Sequence, residues 1–329
     1  MIDNLRGGSF AVALLAAFCG YPVDAASEPH GASPAGQQPE ELTELVVKGA
    51  EPRFVAPTRR DRIGRIWAPV YINDKGPFRL VLDSGASRSG INSHVAEALE
   101  LPLDQSHPVM LRGVTGSATV PTVRVESFTV GDMELGASQL PIVTDALGGA
   151  DGILGTDGMS GRRIVVDFRH DLITITRSQN ARAAPGFRTI PFQLMHGNLL
   201  AVDARVGSIR TKAIIDTGGQ ATIANLALRQ ALEQRSRQLT SHPDKIQGVT
   251  ADIQDGDAAR TPPLRLGSPD QGVEIRYHDV TFGDMHLFEH WHLTNEPIML
   301  IGMDALGLLD TLIIDYRRRE LQIRMRDGE

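Results

Sequence analysis

Leu80-Val81-Leu82-Asp83-Ser84-Gly85-Ala86-Ser87 is the stretch whose reading decides the fold. An apolar run reads as a buried strand, and it ends on a carboxylate, a hydroxyl and a glycine. The glycine lets the chain turn where a side chain would clash. A carboxylate at the end of a buried strand is costly unless something compensates it. Alone, Asp-Ser-Gly is also a common turn, so one copy leaves both readings open. Ala213-Ile214-Ile215-Asp216-Thr217-Gly218-Gly219 returns the same pattern with Thr for Ser. Two apolar strands that each deliver Asp, hydroxyl and glycine form a far more specific signal.

The repeat extends outward from these two sites. Gly113-Val114-Thr115 corresponds to Gly248-Val249-Thr250, 135 positions later. Val130-Gly131-Asp132-Met133 corresponds to Phe282-Gly283-Asp284-Met285, and Ile153-Leu154-Gly155 to Leu300-Ile301-Gly302. Val166-Asp167-Phe168 corresponds to Ile314-Asp315-Tyr316, 148 positions later. Landmarks in one order at similar offsets predict two lobes of like fold, residues 66–180 and 187–329, joined near Ala183-Ala184-Pro185-Gly186. The largest insertion falls at 251–275 in the second copy. Two like lobes pack most simply about a pseudo-twofold axis, which places Asp83 against Asp216.

The chain has 329 residues, few aromatics and 33 glycines, which fits many short strands joined by tight turns. Its net charge of -7 argues against a nucleic-acid footprint. Residues 1–25 read as a secretory signal, with Arg6 as the positive start, Phe10 to Cys19 as the apolar core and Val23-Asp24-Ala25 near a cleavage point. An uncleaved anchor is the alternative. Export would place the mature protein in a bacterial periplasm or outside the cell. Cleavage after Ala25 would remove Cys19, the one cysteine, so that the core alone must hold the fold. Residues 26–65 read as a linker without regular structure. Its end carries Arg53, Arg59, Arg60, Arg62 and Arg65, which fits either a solvated loop or a propeptide over an acidic cleft.

In the first lobe, Ile66 to Ile72 and Phe78 to Leu82 read as strands around a turn at Asp74-Lys75-Gly76-Pro77. Asn92 to Leu101 reads as a short helix capped by Asn92 or Ser93. Alternating runs follow around Met110, Val120 to Val125 and Phe128 to Val130. The expected class is all-β with short helices.

With these motifs in hand, the chain resembles the aspartic peptidases. Each copy has apolar-apolar-Asp-Ser/Thr-Gly, then a glycine-bearing hairpin, then apolar-apolar-Gly, the pattern of one retropepsin-like unit. The whole looks like two such units fused, as in bacterial two-lobed aspartyl protease family proteins. The resemblance implies that Asp83 and Asp216 are the catalytic pair and that the chain is active as a monomer on peptide or protein substrates. It implies that Ser84 and Thr217 cross-bond beneath the carboxylates, with Gly85 and Gly218 supporting the same loops. It also implies flaps at Gly113, Thr115 and Gly116 and at Gly248. No cofactor or metal is implied. The first flap lacks the tyrosine that pepsin-like flaps usually carry. The second, from Gly248 to Pro263, reads as longer and unlike the first, a lid or docking loop over an asymmetric cleft. Gln220 against Ser87 is a further asymmetry.

The chemistry also follows from the residues. Two carboxylates about 4 Å apart repel by roughly 4 kcal/mol at an effective dielectric near 20. That separates their titrations by about three pKa units, so one proton is shared over a wide pH range. The ionised partner takes a proton from water and the protonated one donates to the peptide carbonyl.

Competing constellations are weaker. His286, His290 and His292 with Glu289 have spacing that would suit a metal on a helix. The repeat assigns the segment to strands instead, with His290 and His292 on one face and Trp291 on the other. No Gly-x-Ser-x-Gly elbow is present. Arg317-Arg318-Arg319 reads as a surface hairpin turn. The rival function is a non-catalytic peptide-binding protein that keeps the fold, although both carboxylates are retained.

Overall fold

The computed structural model describes residues 10–12, 45–48 and 66–326, except 131–132, 145–147, 171, 180, 197, 236–238, 271 and 277–278. Strand holds 52% of the described residues and helix 10%, which makes the fold all-β. Among the described residues no helix is long and apolar enough to cross a membrane.

The first lobe is built on a nine-stranded sheet. Trp67–Ile72 and Lys75–Leu82 form its opening hairpin. The turn sits at Asn73-Asp74, one residue earlier than the sequence pattern indicates, with φ 51° and 60°. Positive φ at both central residues is the mirror-image turn that matches strand twist. Lys75–Leu82 lies antiparallel to Trp67–Ile72 on one side and parallel to Gly152–Leu154 on the other. Residues Leu80, Val81 and Leu82 are buried together, so Asp83 leaves the sheet from its interior.

The second lobe repeats these pairings. Ile209–Ile215 lies antiparallel to Leu199–Val206 and parallel to Ile298–Ile301. The short strands Gly90–Asn92 and Ile223–Ala224 pair antiparallel with Gly152–Leu154 and Ile298–Ile301, respectively. Each is followed by a helix, Ser93–Ala98 and Leu226–Arg235. Asn92 Oδ1 accepts from the Val95 amide and Asn225 Oδ1 from the Leu228 amide, both at 3.0 Å. These equivalent caps satisfy orphan first-turn donors. The insertion in the second copy contributes a hairpin, Leu264–Leu266 with Val273–Ile275, laid against Leu199–Val206.

A shared sheet joins the lobes. Arg162–Asp167, from the first lobe, pairs antiparallel with Leu309–Asp315 from the second. Val165 faces Ile313 directly, and these two are sequence equivalents in the repeat. The pseudo-twofold axis therefore passes between them. Arg188–Met195 pairs with Glu320–Met325 on the second-lobe side. Leu45–Lys48 takes the matching place on the first-lobe side, antiparallel to Leu172–Arg177. That strand corrects the expectation of an unstructured linker for these four residues; its signal was the run Leu45-Val46-Val47. One apolar cluster, including Leu80, Ile164, Leu200 and Ile314, runs through both lobes.

The secretory-signal and linker readings otherwise lie outside the described residues, apart from Phe10–Val12, which pairs in parallel with Lys245–Gln247. Gly131 and Asp132 of the repeat also lie outside them. Arg317 to Arg319 form the tight turn between Leu309–Asp315 and Glu320–Met325, with Arg319 at φ 55°.

Candidate active site

The two Asp-hydroxyl-Gly loops meet at the junction of the lobes. The Asp83 amide donates to Leu154 O and the Asp216 amide to Ile301 O, both at 3.0 Å. The parallel strands Gly152–Leu154 and Ile298–Ile301 thus hold the two loops in the same way. Asp83 and Asp216 are 0% and 1% exposed. A Cβ placed on Gly218 would overlap the Asp83 carboxyl, so the second lobe's loop runs directly against the first lobe's carboxylate. Only glycine permits that approach.

Ser84 and Thr217 lock the loops to each other. Ser84 Oγ donates to Ile215 O at 2.7 Å and accepts from the Thr217 amide at 3.1 Å. Thr217 Oγ1 donates to Leu82 O at 2.8 Å and accepts from the Ser84 amide at 2.9 Å. Each hydroxyl therefore satisfies two backbone groups, both on the opposite loop, and all four bonds are buried. Gly85 N donates to Asp83 Oδ1 at 2.7 Å. Gly218 N and Gly219 N donate to Asp216 Oδ1 at 3.1 and 2.9 Å.

Asp83 Oδ2 is buried, and no N–H or O–H of another group reaches it among the described residues. Its neighbour is the Asp216 carboxyl. Two carboxyl oxygens can bond only through a proton, so the pair is poised to share one. Burial, and then the Asp216 charge, hold the Asp83 carboxyl well above the usual carboxylate range, against the opposing pull of the Gly85 amide.

Two further carboxylates buttress the loops, and the sequence reading passed over them. Asp157 Oδ1 accepts from Ser89 N at 2.8 Å and Ser89 Oγ at 2.6 Å, and Ser89 Oγ accepts from Gly155 N at 3.1 Å. In the second lobe Asp304 takes Thr222 N and Oγ1 at 2.9 and 2.7 Å, and Thr222 Oγ1 accepts from Gly302 N at 3.2 Å. The signal was an acid two places after each supporting glycine. Burial pushes Asp304 up to about 6, against the bonds from Thr222. An unfolded chain loses that proton at its ordinary value of 3.8. Between these values the folded state holds the extra proton, so stability falls as pH rises from about 4 to 6 and stays lower above that. The change is worth roughly 3 kcal/mol. Asp304→Asn is expected to flatten this limb in denaturant titrations at pH 4 and 7; an unchanged pH dependence would contradict the assignment.

The flap residues lie at two tips that meet. Leu103–Arg112 with Ser117–Val125 forms the first hairpin, and Ser241–Gln247 with Ile253–Arg260 the second. Thr115 Oγ1 donates to Asp252 O at 2.9 Å. Gly116 lies against the Asp252 side chain, and Gly248 lies so close to Thr115 Oγ1 that no Cβ fits. Both Val114 and Val249 are fully buried. The expectation of an unlike second flap is thus corrected: residues 253–260 form its return strand, and the two hairpins are alike. Ladder pairing outweighs the loop-like composition of that segment.

The histidine segment is also corrected. His286–His290 is a short helix rather than a strand. Leu287 and Phe288 are fully buried and Trp291 is 7% exposed, because packing against Val114 favours the helical face. Among the described residues no group of three or more His, Cys, Asp or Glu is placed to hold a metal ion.

Residues 68–157 match a family model described as Aspartyl protease. No curated protein matches the chain. The match covers the first lobe's Asp83 loop, the flap and the Gly155 support, and it supports an aspartyl protease activity in general terms.

Proposed function

We propose that this chain is an aspartic endopeptidase whose water-activating dyad takes Asp83 from one lobe and Asp216 from the other. The observation that carries the reading is the crosswise bonding of Ser84 and Thr217. It sets two buried carboxyls side by side and leaves Asp83 Oδ2 without a donor. Asp83, the carboxyl raised by burial, holds the proton and Asp216 is the base. A water between them gives a proton to Asp216 as its oxygen attacks the peptide carbonyl. Asp83 donates its proton to the carbonyl oxygen. The tetrahedral intermediate collapses when the proton on Asp216 passes to the leaving nitrogen, the C–N bond breaks and a hydroxyl of the diol returns its proton to Asp83. Closed flaps exclude bulk water while this occurs. The chain would act as a monomer without cofactor or metal, on peptides in the periplasm or outside a bacterial cell. The positive and apolar residues of 1–25 support the export.

The pH profile tests the mechanism. The proton on Asp83 is required, so activity is lost as pH rises through its elevated value. It is lost again in strong acid, when both carboxyls are protonated. Hydrolysis of a casein-like substrate is expected to follow a bell on the acid side of neutral, to be blocked by a pepstatin-type inhibitor and to survive a metal chelator. A rate that climbs into the alkaline range, or is abolished by chelation, contradicts the proposal.

A further inference from the structure

Three strands of the shared sheet bring arginines to one end of it. Arg162 opens Arg162–Asp167 and Arg177 closes Leu172–Arg177, and the two stand directly opposite each other in the ladder. Residues so opposed share one face of the sheet. On the other side of Arg162 lies the second lobe's strand. There the Tyr316 amide donates to Arg162 O at 3.0 Å and leads into the turn that carries Arg317 and Arg319. The four arginines, with Ser160 and Gln179, line a cavity of about 830 Å³ between the two lobes.

Their charges are not matched within the protein. Arg162, Arg177 and Arg319 make no side-chain hydrogen bond or ion pair among the described residues, and Arg317 gives one Nη1 to Ser178 O at 3.3 Å. The carboxylates at this end of the sheet are committed to other groups. Asp315 accepts from Ser178 Oγ at 2.6 Å and from the Arg318 amide at 3.0 Å, and Arg163 lies 3.5 Å away. Glu320 takes Arg318 on both oxygens. Like charges placed directly opposite destabilise a sheet, and here they gather in a chain whose net charge is -7.

The other end of the same sheet is neutralised from within. The repeat offset of 148 carries Arg162 onto Asp310, Phe168 onto Tyr316 and Arg169 onto Arg317. The backbone keeps that equivalence, since the Phe168 amide donates to Asp310 O at 3.0 Å as the Tyr316 amide does to Arg162 O. Asp310 is buried, lies 3.1 Å from Arg169 Nε and accepts from Arg324 Nε. Where that end has a carboxylate among arginines, this end has a fourth guanidinium.

We propose that the cavity at the Arg162 end binds a small polyanion whose charge is carried on phosphate groups, and that this anion does there what Asp310 does at the opposite end. A single carboxylate leaves most of the four charges uncompensated. Arginine forks match the paired oxygens of a phosphate, and the Ser160 hydroxyl and the Gln179 amide can donate to those that remain. The cavity has room for two or three linked phosphates or for a phosphate-bearing headgroup. Arginines from both lobes hold the anion, so it binds the folded chain and stabilises it by mass action.

Binding is read without any catalysis, so the result stands apart from the proposed peptidase activity. In calorimetry on the full chain at physiological ionic strength, tripolyphosphate is expected to bind once per molecule, to raise the unfolding midpoint and to weaken as salt is added. Arg162→Asp is expected to lower its affinity by about tenfold or more. Arg177→Gln with Arg319→Gln, on two exposed side chains, is expected to do the same and carries the test if Arg162→Asp does not fold. Vesicles of phosphatidylcholine, with and without phosphatidylglycerol, separate the sources. Sedimentation with the anionic vesicles alone, lost in these variants, assigns a lipid headgroup; tripolyphosphate binding without sedimentation assigns a soluble oligophosphate. A wild-type chain that binds neither overturns the proposal, as does binding that folded variants leave unchanged.

Discussion

Asp83→Asn and Asp216→Asn are each expected to lower peptide hydrolysis by about 10³-fold, with the fold in place. Asparagine has the shape of aspartate and keeps an oxygen for the amides that now bond it: Gly85 N at Asp83, Gly218 N and Gly219 N at Asp216. What it removes is the capacity to carry or release a proton. General acid and general base roles are each worth roughly 10²–10⁴ in rate. Neither role is duplicated nearby, since Asp157 and Asp304 are spent on Ser89 and Thr222. Replacing Asp83 also removes a buried carboxyl held above its usual range, so Asp83→Asn is expected to be at least as stable as the parent at neutral pH. Steady-state kinetics with unfolding curves check both statements. Near-native turnover in either variant would remove that residue from the chemistry.

Thr217→Val is expected to do comparable damage by another route. Valine fills the same volume but carries no hydroxyl. The Leu82 carbonyl and the Ser84 amide would then be buried without partners. Each orphaned buried group costs roughly 1–3 kcal/mol. Together they take a large part of a stability of about 5–15 kcal/mol. The loss falls on the contact that sets the two carboxyls side by side, so activity is expected to vanish before the chain unfolds globally. Thr217→Ser restores the hydroxyl and is expected to recover most of both. Denaturation midpoints of the three proteins separate the outcomes: equal stability of the valine and serine variants would mean that the hydroxyl carries none of the junction.

Much of this site was legible in the sequence because its elements are short-range and repeated. The two Asp-hydroxyl-Gly loops follow apolar strands, and Ile153-Leu154-Gly155 and Leu300-Ile301-Gly302 recur at matching offsets. The register of Val165 against Ile313 then follows from the symmetry. What was not legible depended on tertiary partners. Residues 253–260 read as an irregular lid because Asp255, Gly256 and Asp257 are poor strand formers, yet they pair on both sides. Leu45–Lys48 was hidden in a Pro- and Glu-rich stretch and needs Leu172–Arg177 to form a strand. The segment after Asp284 was assigned by analogy with the first lobe. There Met133–Glu134 continues as a strand, whereas Leu287, Phe288 and Trp291 turn into a helix under Val114. Asp157 and Asp304 were visible as a sixth matching pair, but their part in bracing the loops depends on buried partners, Ser89 and Thr222, that the sequence does not place beside them.

The central claim is that one chain contains one complete dyad, with half from each lobe. Mixing Asp83→Asn with Asp216→Asn tests it most directly. If both carboxylates of a site come from the same chain, every molecule in the mixture lacks one of them. The account predicts that the mixture, incubated at high concentration and assayed over a dilution series, is no more active than the separate variants. Were the site instead assembled between two chains, mixed pairs would carry one intact Asp83 and one intact Asp216, and a substantial fraction of native activity would return on mixing; that recovery would contradict the account.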